Sequence, residues 1–149
     1  MSTRSAICLK LNDTRCLATY CHFEGYVDHQ GPLLLAHYNT KERLMALLEL
    51  GSLAFLAPEI GEKHQYRNAD RNHPDWCCFF NRDRGDKDDA WPATLGIADI
   101  FKDHWFDFAY LFDLASNAWS VASRKNKTFV PLAGHPDLPG KASAGTSAN

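Results

Sequence analysis

No apolar run in the 149-residue chain approaches the ~20 residues needed to cross a bilayer. The opening stretch MSTRSAICLKLND puts one arginine before a short apolar run that alternates with polar residues. That is not a signal-peptide core, and a cytoplasmic protein with no membrane partner is expected. Positive charge is not in excess either. The 16 Lys and Arg residues face 18 Asp and Glu, a formal net charge of -2. A general electrostatic grip on DNA or RNA needs a surplus of cations on one face, so a nucleic-acid partner is disfavoured.

Several chemical signatures are missing. There is no C-x2-C pair and no H-E-x-x-H, no phosphate-binding G-x-x-x-x-G-K-[ST], no dinucleotide glycine fingerprint and no G-x-S-x-G. No cofactor and no metal is expected. The five cysteines (Cys8, Cys16, Cys21, Cys77, Cys78) are odd in number, which argues for reduced thiols. Cys77 and Cys78 are neighbours, and on a strand they point to opposite faces.

What is present is enough apolar material for a packed core: 45% of the residues are hydrophobic. SAICLKL (5–11) and RCLATYCH (15–22) alternate around the turn residues NDT, which predicts a β-hairpin with Ile7, Leu9 and Leu11 on one face. Pro32 suits a first helical turn, and Asn39 with Glu42 has capping-box spacing. A short helix over 32–38 and a second over 40–50 follow, the latter with a Leu44, Met45, Leu47, Leu48 stripe and ending at Gly51. Positions 51–75 read as a long surface excursion, and WCCFF (76–80) as a buried strand. A further amphipathic helix is expected over 93–103. Strands in WFDFAYLFD, AWSVASR and TFVPL then form a meander, with Phe106, Phe108, Tyr110 and Phe112 on one side. The simplest assembly is α+β, an antiparallel sheet of about five or six strands with two or three helices on one face. Residues 1–133 form the single domain, and 134–149 a flexible tail.

Two polar stretches carry the candidate chemistry. YCHFEGYVDHQG (20–31) offers His22, Glu24, Tyr26, Asp28 and His29. Strand geometry separates Cys21 from His22, which counts against a shared metal or a thiolate–imidazole pair. NRDRGDKDD (81–89) offers Arg82, Asp83, Arg84 and Asp86. Arginine forks suit phosphate or carboxylate, and the competing reading is a solvated, self-paired loop.

STRSAI, YCHFEGY, LLELGSLAFL, NRDRGD and YLFD with AWSV occur in this order. Together they resemble a family of small uncharacterised proteins encoded by phages, prophages and other mobile elements. There the first motif reads Tyr-Cys-His-Trp-Asp-Gly-Tyr; here Phe23 and Glu24 replace the tryptophan and the aspartate. The resemblance spans about positions 2–122 and implies an origin, a bacterial host cell and a fold, not a reaction. The leading expectation is a non-enzymatic accessory protein, counter-defence being one such role. It would bind a host protein or a small polar, nucleotide-like ligand through the two polar loops. The alternatives are a hydrolase acting on a nucleotide or nucleic acid, with His22, Glu24, Asp28 and His29 converging on Arg82 or Arg84, and a nucleic-acid-binding protein. Oligomeric state is left open.

Overall fold

The computed structural model describes residues 2–64, 73–87, 89–102 and 104–139. Alternating side chains and the NDT turn make the opening hairpin, β1 (Ser5–Lys10) with β2 (Arg15–Cys21), in the register Leu9 opposite Leu17. The Asn12 carboxamide accepts from the Thr14 and Arg15 backbone N–H groups and closes the turn. Leu11 lies outside the strand and is exposed.

Two helices follow. Helix α1 runs Val27–His37, so Pro32 falls in its interior and not in its first turn. Helix α2 is Lys41–Glu49, capped by Thr40, whose hydroxyl accepts from Arg43 N. Asn39 instead donates its amide to Leu35 O at the end of α1. Leu44, Leu47 and Leu48 are buried as the stripe requires. Gly51 ends the turn at φ +87, a left-handed conformation that favours glycine.

The remaining strands are β3 (Leu53–Phe55), β4 (Cys78–Phe79), β5 (Ala93–Gly96), β6 (Phe108–Asp113), β7 (Ala118–Ser123) and β8 (Val130–Pro131). They form one eight-stranded sheet in the order β4-β3-β2-β1-β6-β7-β8, with β5 also on β2. This sheet is mixed, not antiparallel: β1 runs parallel to β6, and β2 parallel to β3. The expectation of an antiparallel sheet of five or six strands is therefore overturned. Parallel partners arise because the chain leaves β1–β2, crosses over the helices and returns beside β1, a connection long enough for a parallel return. Hairpin patterning cannot show which strands meet after such a crossing.

Three local expectations are also corrected. Residues 93–102 are β5 followed by a single 3-10 turn at Ile97–Asp99 and not the expected helix, whose last position, 103, lies outside the described residues. The exposed edge of β2 captures Ala93–Gly96 in antiparallel register, overriding a weak helical pattern that Gly96 already broke. Residues 53–57 are buried strand and its extension, not surface excursion, because Leu53, Ala54, Phe55, Leu56 and Ala57 are enclosed on all sides. Residues 65–72 of that stretch lie outside the described residues. Phe106 precedes β6 and packs on the opposite face from Tyr110 and Phe112. The adjacent thiols part as alternation requires, Cys77 into the helix-side core and Cys78 away from it.

Both α-helices cover one face of the sheet. Ile7, Leu9, Cys21, Tyr110, Phe112, Trp119 and Val121 pack there against Val27, Leu34, Leu44, Leu47 and Leu48. Each fully buried Ile, Leu, Val or Phe among them contributes about 1.5–3 kcal/mol. The other face carries small residues, Ala6, Cys8, Cys16, Ala18, Ala109 and Ala122. Their size lets Trp91, Ile100, Phe101 and Phe106 lie close on the sheet. Of the expected tail, residues 140–149 lie outside the described residues, while Leu138 packs beside Gly31 and Leu132. Among the described residues no helix is long and apolar enough to cross a membrane.

Candidate functional site

The stretch that begins at Tyr20 turns a corner at the C-terminal end of β2. Past the end of β2, His22 N and Phe23 N donate to Leu53 O and Ala54 O at 3.0 and 2.9 Å, extending the pairing with β3. Glu24 adopts φ 57, and Gly25 then packs against the N-terminal segment. Gly25 N donates to Thr3 O at 2.9 Å and its carbonyl accepts from Tyr110 OH at 2.6 Å. A Cβ at this position would lie 2.8 Å from both Thr3 O and Ser5 Cβ, so only glycine allows the approach. The consequence is positional: Ser2 and Arg4 are brought beside His22 and Tyr20.

There a hydrogen-bonded row forms. Ser2 Oγ is 3.1 Å from His22 Nε2, and His22 Nδ1 is bonded to Tyr20 OH. Burial raises the Tyr20 pKa above its ordinary value. Burial, then Arg4, then Arg84 lower that of His22. Both shifts hold the pair uncharged at neutral pH.

Tyr20 also opens onto a cleft of about 240 Å³ lined by Arg4, Trp91, His104, Trp105 and Phe106. The rings form a connected series. Trp91 lies 5.2 Å from His104, His104 lies 5.2 Å from Phe106, and Phe106 lies 6.0 Å from Tyr20, centroid to centroid. Trp105 is 77% exposed at the rim.

Each wall is tied down. Asp89 Oδ1 accepts from Trp91 N at 3.0 Å, while Oδ2 accepts from Ser52 N and Ser52 Oγ, both at 3.0 Å. Arg124 donates from Nε to Phe106 O at 2.8 Å and from Nη2 to His104 O, and its guanidinium lies over the Trp105 ring at 5.2 Å. Arg4 N donates to Asp107 Oδ2 at 2.9 Å, fixing the floor.

No protein-family model, curated protein or solved structure matches the chain. The arrangement of side chains therefore carries the functional reading.

The candidate residues separate into three groups. His22 does not line the cleft but is bonded to Tyr20, which does; Phe80 lies 6.3 Å from His22 between centroids, and Arg84 is stacked on Phe80 at 5.4 Å. The two polar loops thus meet through His22, Phe80 and Arg84. Glu24, Tyr26, Asp28 and His29 form a separate local cluster around the first turn of α1. His29 Nε2 approaches Glu24 Oε2 to 3.2 Å without hydrogen-bond angles, and its ring lies 6.0 Å from that of Tyr26. None of the four lines the cleft.

Arg82 and Asp83 turn inward. The Asp83 carboxylate has 0% side-chain exposure and accepts from Phe79 N at 2.8 Å, His64 N at 3.1 Å and Arg82 Nε at 2.9 Å. Arg82 spends its other donors on Gly61 O, Ile60 O and Cys77 O. This pair holds the 60–64 and 77–83 segments together. Asp86 pairs its backbone N–H with Phe80 O and is exposed.

Cys21 accepts from Gln30 Nε2 at 3.3 Å, and burial pushes its thiol up to about 12. At neutral pH it is an inert thiol inside the core. Among the described residues no group of three His, Cys, Asp or Glu side chains is placed to hold a metal ion.

Sequence reasoning missed Arg4, Trp91, His104, Trp105 and Phe106. Trp91 and the HWF run at 104–106 were visible as aromatic residues beside polar ones. The helix expected across 93–103 hid the fact that they converge.

Proposed function

We propose that the protein is a binding protein for a small, flat, negatively charged ligand of the nucleotide class, held with its ring system in the aromatic cleft and its charge toward Arg4. The observation that carries this reading is the convergence of Tyr20, Trp91, His104, Trp105 and Phe106 around one arginine in a single cleft. Aromatic faces hold a base by stacking, at about 1–3 kcal/mol per base. A guanidinium at the rim supplies the charge-assisted hydrogen bonds that phosphate requires. The size of the cleft limits the guest. At about 240 Å³ it is smaller than the roughly 300–1,000 Å³ of drug-sized sites, so it suits one ring system with its first substituent outside.

Pre-set walls favour binding, because Asp89 and Arg124 have already ordered the groups that a ligand would otherwise have to order. An accessory role for a mobile element, suggested by the motif order, is compatible with a protein that sequesters such a ligand.

The test is tryptophan fluorescence during titration with the four ribonucleoside monophosphates. At least one should quench the emission saturably, and the quench should disappear in Trp91→Ala and weaken about tenfold or more in Arg4→Ala. Absence of quenching with all four, alongside an intact fold by circular dichroism, removes this reading.

A further inference from the structure

A second cleft shares no lining residue with the first. It encloses about 370 Å³ between the β1–β2 turn, the 3-10 turn and the loop that joins β7 to β8. That size falls within the roughly 300–1,000 Å³ of small-molecule sites. Its floor is apolar. Phe101 is 8% exposed and belongs to the Ala- and Cys-rich core, and Ile97 and Phe129 pack against the same core. Backbone bonds hold the walls: Ile97 N donates to Thr14 O at 2.8 Å, and Lys127 N donates to Ser123 O at 2.7 Å. Floor and walls are therefore ordered before a guest arrives, which lowers the cost of binding one.

Two ammonium groups stand over this floor, Lys102 and Lys127. Lys102 is paired with Asp99 at 3.0 Å, and the acid at the cleft's other side, Asp13, lies 3.9 Å from Lys10. Among the described residues no carboxylate lies within ion-pair distance of Lys127. Lys127 also adopts φ 63. This is the left-handed position of a hairpin loop, where glycine is the usual residue and a lysine is held at some cost. The fold thus keeps an unpaired cation, at a strained position, beside an apolar hollow.

We propose that this cleft binds a free monocarboxylate with an apolar body, of the medium-chain fatty acid class. The body lies on Ile97, Phe101 and Phe129, and the carboxylate accepts from the Lys127 ammonium. Apolar contact area supplies the attraction, and the ion pair fixes the direction in which the ligand lies. One unpaired cation matches one negative charge. A dianionic head would meet Asp13 and Asp99 with no second unpaired ammonium to offset them. The site stands independently of the nucleotide-binding reading, because none of its residues belongs to the aromatic cleft.

Octanoate, octanol and octyltrimethylammonium share one chain and differ in the charge of the head. Calorimetry with the full chain at neutral pH, below the concentrations at which these amphiphiles aggregate, compares them. Octanoate should bind saturably at one site. Octanol should bind about fivefold more weakly, the upper range for an ion pair at the edge of solvent, and the cation more weakly still. Two variants locate the site. Lys127→Gly removes the ammonium and relaxes the backbone, so the fold is kept while octanoate falls to the affinity of octanol. Ala98 is exposed and lines the cleft, so Ala98→Trp fills the hollow from outside the core. It should weaken octanoate and octanol alike by about tenfold or more. No tryptophan lines this cleft, and octanoate should leave the tryptophan emission of the parent protein unchanged. Absence of saturable octanoate binding to the folded protein overturns the proposal, as does octanol binding as tightly as octanoate. Octanoate binding that survives unchanged in Ala98→Trp, or that quenches the tryptophans of the aromatic cleft, places the ligand elsewhere and overturns it as well.

Discussion

The loops 20–26 and 81–86 have similar ingredients and opposite fates. Each joins a strand end to a turn, and each carries charged or titratable groups beside aromatic ones. In the second, Arg82 and Asp83 direct their hydrogen bonds into the protein: the aspartate is fully enclosed and the arginine 13% exposed. In the first, His22 bonds to Tyr20 on one side and to Ser2 on the other, and the Tyr20 phenol opens onto a cleft. The contrast shows that charge in a loop is not evidence for a site. What separates a structural clamp from a recognition surface is where its donors and acceptors end.

The largest effect that would break this contrast is at Asp83. Asp83→Ala leaves the largely enclosed Arg82 guanidinium without its counter-ion and deprives Phe79 N and His64 N of their acceptor. The expected cost is about 3–5 kcal/mol of stability, measured by urea denaturation. Arg84→Ala, in the same turn but on the outward side, should cost under about 1 kcal/mol. If the two substitutions proved equally mild, the clamp would lose its structural role.

Next in size is Gly25→Ala, which tests whether the first loop owes its shape to backbone contact. The added methyl would collide with Thr3 O and Ser5. A loss of about 1–3 kcal/mol is expected from overpacking. Because the same contact brings Ser2 and Arg4 to His22, ligand quenching of tryptophan should weaken even at temperatures where the variant remains folded. Unchanged binding in this variant would show that the N-terminal segment is not part of the site.

The two loops also differ in how far the sequence disclosed them. The hairpin, the Leu44–Leu48 stripe, the Gly51 stop and the closing meander follow from periodicity and turn chemistry, which act over a few residues. The sheet order does not, because the β1–β6 pairing joins residues about a hundred positions apart and leaves no local mark. The site divided in the same way. His22 was named from the first motif, and Arg84 from the second. Arg4, Trp91 and the 104–106 segment were not, since they become neighbours only when the segment after β4 folds back across the Ala- and Cys-rich face of the sheet. Arg82 and Asp83 read either as a ligand site or as a solvated, self-paired loop, because an exposed ion pair and a buried one look identical in sequence.

A smaller effect is expected at the cleft wall. Arg124→Lys keeps the charge but cannot reach both His104 O and Phe106 O with one ammonium group. About 1 kcal/mol of stability should be lost. Nucleotide affinity should fall more than stability suggests, because Trp105 loses the guanidinium that covers its ring. A drop in melting temperature with unaltered affinity would place Arg124 in the clamp category with Arg82, and would narrow the difference between the two regions.

The smallest effect is the pH dependence of His22 itself in the free protein. Its folded pKa is lowered, first by burial and then by Arg4 and Arg84. The unfolded chain titrates near the ordinary histidine value of about 6.5. As pH falls through that value the unfolded state takes up a proton that the folded state still refuses, so stability declines. The contribution is fully present above the unfolded pKa, is lost as pH falls toward the folded pKa, and changes no further below it. His22→Gln removes a titrating group without removing a polar one, so its stability profile should be flatter across this window and parallel to the parent protein's above it. Chemical denaturation at closely spaced pH values reads the difference directly. Identical slopes in the two proteins would mean that the imidazole is not held against protonation, and the first loop would then lack the electrostatic poise that sets it apart from the second.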